Sequence, residues 1–121
     1  MNLGSVGKKG EDMVATFLRK QGCEILKRNY ICRYGEVDII AQKGNLLLFV
    51  EVKTRQENAF VKPQESVDAR KQQRVIFAAQ DYMVKCGISD LQPRFDVASV
   101  TVFKRDDGNL GYNLDYIKNA F

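Results

Sequence analysis

The run Leu46–Val50, within the segment GNLLLFVEVKTR, constrains the fold of this chain more than any other feature. Its consecutive apolar residues fill both faces of an extended strand, as expected of a central strand covered on both sides. Gly44 and Asn45 stand directly before it and suit a two-residue turn with positive φ at its first position. The sequence therefore predicts a hairpin in which 34–43 is the first strand and the apolar run lies in the second.

The remaining segments supply helices and strands around this hairpin. Apolar residues at helical spacing predict a first helix over 10–21, ended by Gly22. The β-branched and aromatic residues over 23–33 predict an outer strand with a boundary near Asn29. Ser66 is the expected cap of a second helix that ends at Gly87. The apolar stripe predicted for that helix consists of Val75, Ile76, Ala79, Tyr82, Met83 and Cys86.

Two later segments alternate in the manner of strands, over 93–103 and 112–117, with a turn between them. The predicted order is α-β-β-β-α-β with one further strand. A helix leads from the third strand to the fourth, so that pair can be parallel while the hairpin is antiparallel. We therefore expect an α/β fold in a single domain of 121 residues, with a mixed central sheet flanked by helices.

Composition narrows the chemistry that this chain can perform. It contains no histidine, which excludes imidazole bases and histidine-ligated zinc. Its three cysteines form no Cys-x-x-Cys pair, so we expect reduced, buried thiols. The net charge of +4 suits a polyanionic partner. No apolar run approaches the length that spans a bilayer or resembles a signal peptide, so a cytoplasmic protein without a membrane partner is expected.

The predicted hairpin carries charges where its buried strand emerges. With a two-residue loop, the residue numbers of two directly opposed residues add up to 89. Asp38 then faces Glu51, and Glu36 faces Lys53. Opposed carboxylates destabilise a hairpin unless a cation lies between them, and a divalent metal with oxygen ligands is such a cation. A three-residue loop would place Asp38 and Glu51 on opposite faces, and a solvated charged face is the ordinary alternative.

Lys53 and Glu11 each have two interpretations. Lys53 is either a salt-bridge partner of Glu36 or a group that stabilises the charge developing in phosphoryl transfer. Glu11 lies on the core-facing stripe of the first helix and could reach a metal at the sheet. A glutamate near a helix N-terminus is also favoured by the macrodipole alone.

These residues belong to a longer set of motifs that covers nearly the whole chain. Asp38 followed by the Glu-Val-Lys element at 51–53 resembles the signature of the PD-(D/E)XK, or restriction-endonuclease-like, nucleases. Further segments resemble the bacterial YraN-like family: GED at 10–12, RNY at 28–30, GEVDII at 35–40, FVEVKTR at 49–55, RKQ at 70–72, RFDV at 94–97 and the closing NAF.

The resemblance implies a restriction-endonuclease-like fold and nuclease chemistry. It implies that Asp38 and Glu51 bind Mg²⁺ or Mn²⁺ and that Lys53 assists the attacking water. Glu11 matches a glutamate that the first helix of that superfamily often contributes. Glu36 belongs to the YraN-like motif and is kept as a further candidate ligand. Val37 replaces the proline of the superfamily signature, which is a common substitution. The YraN-like family has no assigned substrate, so the resemblance names none.

Basic residues near the hairpin are candidates for phosphate contacts. Arg70, Lys71 and Arg74 open the second helix, whose positive N-terminus attracts anions. Arg33 and Arg55 flank the charged hairpin. A solvated helix face is the commoner role for the three helical residues.

Three functions remain open at this point. The leading one is a Mg²⁺-dependent nuclease acting on DNA, including branched or damaged DNA, for which a homodimer would suit a two-strand substrate. The second is a nucleic-acid-binding module that keeps the fold without chemistry. The third is a scaffold or regulatory subunit that binds no nucleic acid.

Overall fold

The computed structural model describes residues 3–57 and 67–121. Its elements form one five-stranded sheet in the spatial order β1-β2-β3-β4-β5, with two helices. The bounds are α1 (Leu3–Lys20), β1 (Glu24–Cys32), β2 (Gly35–Lys43), β3 (Leu46–Gln56), α2 (Ala69–Lys85), β4 (Gln92–Lys104) and β5 (Leu110–Ile117). The predicted restriction-endonuclease-like order is confirmed, with β5 as the further strand, although α1 begins seven residues earlier than expected.

The hairpin has the predicted turn and register. Gly44 has φ of 60°, the left-handed conformation that a glycine adopts at little cost. Ile39 pairs with Val50 and Ile40 with Phe49, so opposed numbers sum to 89. The pairing ends at Ile39 and Val50, one position before the acids. From there β2 and β3 separate, which opens a fork at the end of the hairpin.

Strand β3 is central, as its apolar run predicted. It is antiparallel to β2 and parallel to β4, and residues 47–50 are at most 2% exposed. Alternation divides them between two cores. Leu48 and Val50 pack with α1, in the core that also contains Val14, Ala15, Leu18, Ile39, Ala41, Ala98 and Val100. Leu47 and Phe49 pack with α2, in the core that also contains Val37, Ile40, Val75, Ala78 and Ala79.

The helix ends agree only in part with the sequence. Gly22 follows α1 with φ of 90°, and Gly87 follows α2 with φ of 64°, as predicted for C-terminal glycines. The cap of α2 is Asp68, whose side chain accepts from the Lys71 backbone N–H at 2.9 Å. Ser66, the expected cap, lies outside the described residues.

Two further expectations for α2 need correction. Ala78 is buried on the sheet-facing stripe, while Ile76 is only half-buried. Cys86 is exposed because α2 ends there, so the prediction of buried thiols is wrong for this residue and confirmed for Cys23. In the described part of the chain, neither helix is long and apolar enough to cross a membrane.

Candidate active site

The candidate site lies in the fork where β2 and β3 separate, opposite the first turn of α2. Asp38 points into the fork, and its Oδ2 accepts from the backbone N–H of Val52 at 2.8 Å. This bond takes the place of the interstrand pair that the separating strands no longer form. The two strands thus bring Asp38 and Glu51 into electrostatic contact, as the predicted register required.

Glu51 is a nearly fully buried carboxylate of which one oxygen lacks a partner. Its side chain is 1% exposed, and its Oε1 has no partner among the described residues. Burial, followed by the charge of Asp38, raises the pKa of Glu51 to about 7, although Lys71 and Lys53 oppose the shift. Buried polar atoms are normally paired, so an unpaired carboxylate oxygen here indicates a site for a cation or a proton.

Asp38 has a perturbed pKa for related reasons. Burial disfavours its charged form and raises its pKa. The Val52 N–H bond lowers it again, the charge of Glu11 raises it, and Lys71 and Lys53 lower it. Neighbouring acids with raised pKa values, here the half-buried Asp38 and the buried Glu51, are expected where a metal ion can neutralise both.

Lys71 lies between two of the acids instead of on the open surface of α2. Its Nζ is 3.2 Å from Glu36 Oε1 and 3.4 Å from Glu51 Oε2. Burial lowers the pKa of Lys71, but the negative charges of Glu51, Glu36 and Asp38 have the larger effect, so the pKa is raised. The interpretation of Lys71 as part of a solvated helix face therefore needs correction, while its contact with a phosphate stays a prediction.

Glu36 and Lys53 are not the pair that the extended register suggested. Glu36 binds Lys71 from α2, because β2 has already separated from β3 at this position. Lys53 is half-buried, and its charge acts on Asp38 and Glu51. It forms no ion pair within the described part of the chain, so its ammonium is available beside the two acids.

Glu11 is held at the margin of the fork by β1. Its Oε1 accepts from Arg28 Nε and from Asn29 Nδ2, both at 3.1 Å. Asn29 has φ of 53°, but β1 continues through it to Cys32, so the strand boundary expected near Asn29 is wrong. Because α1 starts at Leu3, Glu11 lies in the middle of the helix. The explanation of Glu11 by the helix macrodipole is therefore wrong.

The remaining basic candidates lie on the elements that border the fork, namely the β1–β2 turn, β3 and α2. Arg33, Arg70 and Arg74 are exposed, and none of them forms an ion pair with any residue in 3–57 or 67–121. Arg55 is half-buried on β3, and its Nε is buried without a partner among those residues. These four arginines remain candidates for contact with an anionic ligand.

The donor set fits a hard divalent cation at one place. Asp38 and Glu51 are adjacent carboxylates, and the free Oε1 of Glu51 supplies a ligand atom of the kind that Mg²⁺ binds. Glu11 and Glu36 are instead occupied by Arg28, Asn29 and Lys71. In the described residues no group of three or more possible ligands is already gathered for a metal. The fit therefore rests on the Asp38 and Glu51 pair.

The sequence did not predict two exposed aromatic residues near the fork. Tyr34 is 62% exposed and Phe77 is 43% exposed, and their ring centroids lie 6.4 Å apart. The one available signal in the sequence was that Phe77, an apolar residue, falls outside the apolar stripe of α2. Its proximity to Tyr34 depends on how α2 packs against the β1–β2 turn, and no local pattern encodes that packing.

Comparison with known proteins agrees with the motifs. Residues 10–100 match the model of a family described as uncharacterised protein family UPF0102. A UPF0102 protein of Clostridium perfringens (strain ATCC 13124) is 44% identical over 117 residues, covering 97% of this chain and 93% of the relative. A UPF0102 protein of Dictyoglomus thermophilum is 45% identical over 121 residues, covering all of both chains.

Among solved structures, the chain is similar to Pyrococcus furiosus SfsA, determined in complex with Ca²⁺. The identity is 14% and the TM-score 0.49, over 97% of this chain. The matched part spans 64% of the SfsA chain, so about a third of SfsA has no counterpart here. The match of the family model and the full-length relatives show that this chain belongs to the UPF0102, or YraN-like, family.

Proposed function

We propose that this protein is a Mg²⁺- or Mn²⁺-dependent nuclease that hydrolyses phosphodiester bonds in DNA. The observation that carries the proposal is the buried Glu51 carboxylate, with an unpaired oxygen and a raised pKa, next to Asp38. A divalent cation held by Asp38 and Glu51 would neutralise their repulsion and act as a Lewis acid toward the phosphoryl oxygens.

The protein groups around the acids have separate roles in this proposal. Lys53 lies on the same side of β3 as Glu51 and has no competing ion pair among the described residues. Its ammonium stabilises the attacking hydroxide and the negative charge that grows on the phosphoryl oxygens. Lys71 forms ion pairs with Glu36 and Glu51 and so compensates part of their negative charge in the metal-free protein. Arg55 and the exposed arginines contact flanking phosphates.

The proposal extends to branched or damaged DNA, because Glu11 matches a glutamate found in archaeal Holliday-junction resolvases. A homodimer would place two forks against the two strands of such a substrate. Cleavage of four-way, flapped, single-stranded and plain duplex DNA by one preparation ranks these substrates, and sedimentation in their presence reports the oligomeric state.

The decisive assay is cleavage of labelled DNA in Mg²⁺ or Mn²⁺. Asp38→Asn and Lys53→Ala are expected to lower the rate by at least about 100-fold, as for loss of a general catalytic group. The matched controls are Asp90→Asn and Lys104→Ala, which change exposed residues outside the fork and should leave the rate unchanged. Cleavage that survives Asp38→Asn and EDTA would show that another protein in the preparation cuts the DNA.

A second candidate is a nucleic-acid-binding module without chemistry. The ion pair of Lys71 with Glu51 favours it, because the ammonium already compensates part of the acidic charge. This candidate predicts salt-sensitive DNA binding that is unaffected by EDTA and by Asp38→Asn. Metal-dependent cleavage that the Asp38→Asn variant lacks would exclude it.

A further inference from the structure

An exposed aromatic surface lies between the β1–β2 turn and the outer face of α2. We call Arg33, Tyr34 and Phe77 the stacking patch. The two rings are 62% and 43% exposed, and the Arg33 guanidinium carbon lies 5.2 Å from the centroid of the Tyr34 ring. They line a shallow cavity of about 440 Å³. Neither ring belongs to a buried core, so core packing does not explain why aromatic residues stand at these exposed positions.

The stacking patch is continuous with the acidic fork. The successive residues 34–36 each contact α2. Tyr34 meets Phe77, Gly35 meets Arg74 and Glu36 meets Lys71, so the contacted helix residues are three apart. At Gly35 a Cβ atom would overlap the Arg74 carbonyl, so glycine is required for this close approach. The helical rise places Phe77 about 9 Å beyond Lys71, which equals about two to three nucleotides of a stacked strand.

Charge around the patch favours nucleic acid as its occupant. Arg33, Arg70 and Arg74 are exposed and make no ion pair with the described part of the chain. Aromatic rings and arginine planes that alternate with cationic groups are the usual means of holding single strands, because bases stack on the rings while phosphates meet the cations. A purely apolar protein partner would leave these cations unpaired.

We propose that the stacking patch holds unpaired bases of the DNA strand whose backbone enters the acidic fork. The substrate class is therefore DNA with single-stranded or displaced nucleotides a few positions from the scissile bond. The assignment of a scissile bond rests on the proposed nuclease function. Base stacking on the patch does not rest on that function, since it requires neither metal nor cleavage.

Binding in EDTA isolates the stacking step. The chain contains no tryptophan, so Tyr34→Trp introduces a single indole into the patch. Oligothymidylate is expected to quench its fluorescence, while a duplex of the same length leaves it unchanged. Equal responses to the two probes, or no response to either, would overturn the proposal.

Alanine variants measure the contribution of each ring. Tyr34→Ala and Phe77→Ala are each expected to weaken oligothymidylate binding about tenfold in fluorescence anisotropy, without weakening duplex binding. Tyr34→Phe keeps a ring and should bind as the wild type does. Val84→Ala is the control for the ring itself, because Val84 lines the same cavity and is 80% exposed but has no ring, so this variant should bind as the wild type does.

The outcomes separate the patch from the nuclease. Quenching by a single strand together with absence of cleavage in Mg²⁺ supports the patch and removes the nuclease proposal. Metal-dependent cleavage with unchanged strand preference in Tyr34→Ala removes the patch and keeps the nuclease. Unchanged DNA binding but altered sedimentation of Phe77→Ala would identify the patch as a protein contact and overturn the proposal.

Discussion

Two buried carboxylates on neighbouring strands of this sheet have opposite environments. Asp96 on β4 is fully buried and accepts four bonds: two from Arg94 at 2.9 Å, one from the Tyr116 hydroxyl at 2.6 Å and one from the Asn119 backbone at 2.9 Å. Glu51 on β3 is equally buried but has one ammonium at 3.4 Å and a free oxygen.

The difference separates a structural acid from a candidate functional one. Asp96 ties β4 to β5 and to the C-terminal turn, and its bonds satisfy the carboxylate completely. Glu51 is buried without such partners, so its charge is costly in the metal-free protein. That cost makes sense if a cation from outside the chain completes the site. Each of the following predictions alters one side of this comparison.

The largest effect on stability is expected from Asp96→Ala. The variant leaves Arg94 without its buried partner and should lower the free energy of unfolding by about 3–5 kcal/mol. Urea unfolding at neutral pH measures this loss. Asp115→Ala, an exposed change on β5, is the control and should have little effect. A loss no larger than that of the control would contradict the structural role of Asp96.

Glu51→Gln is expected to act in the opposite direction at alkaline pH. The pKa of Glu51 in the folded protein is about 7, above the ordinary value of 4.5 for a glutamate. The folded state therefore binds this proton more tightly, and the associated stability is complete below pH 4.5 and lost as the pH rises through 7. At pH 8 without metal the variant should be more stable than the wild type by roughly 3 kcal/mol.

Thermal unfolding of both proteins across this pH range measures the effect of Glu51→Gln. The gap between them should open between pH 4.5 and about 7. Glu24→Gln, an exposed change on β1, serves as the control and should follow the wild type. A constant gap across the range would mean that Glu51 is already satisfied in the folded protein.

The smallest effect is expected from Lys71→Met. Loss of the ammonium leaves the negative charges of Glu36 and Glu51 uncompensated. The free energy of unfolding of the metal-free protein should therefore fall by about 1–2 kcal/mol near neutral pH. Removal of a positive charge should also tighten Mn²⁺ binding. Unfolding with and without Mn²⁺ tests both statements, and weaker Mn²⁺ binding would show that Lys71 helps to hold the metal site together.

Much of the fold was predictable because the deciding signals are local. The apolar run at 46–50 identified the central strand, and Gly44 fixed the register that brings Asp38 toward Glu51. The contacts of α2 were not predictable, since helical periodicity does not say which sheet residue a helix end meets. The ion pairs of Lys71 with Glu36 and Glu51, and the exposed ring pair of Tyr34 and Phe77, were therefore not predicted. Asp96 lay within a quoted motif, but its four bonds come from three separate segments.

Titration calorimetry with Mn²⁺ tests the central claim most directly, namely that Asp38 and Glu51 together hold a divalent cation. The wild type should show saturable binding that is lost in Asp38→Asn and in Glu51→Gln and retained in Asp90→Asn. Each variant should be checked for folding by circular dichroism. Wild-type protein that binds no Mn²⁺, or Mn²⁺ binding that Glu51→Gln leaves intact, would contradict the account.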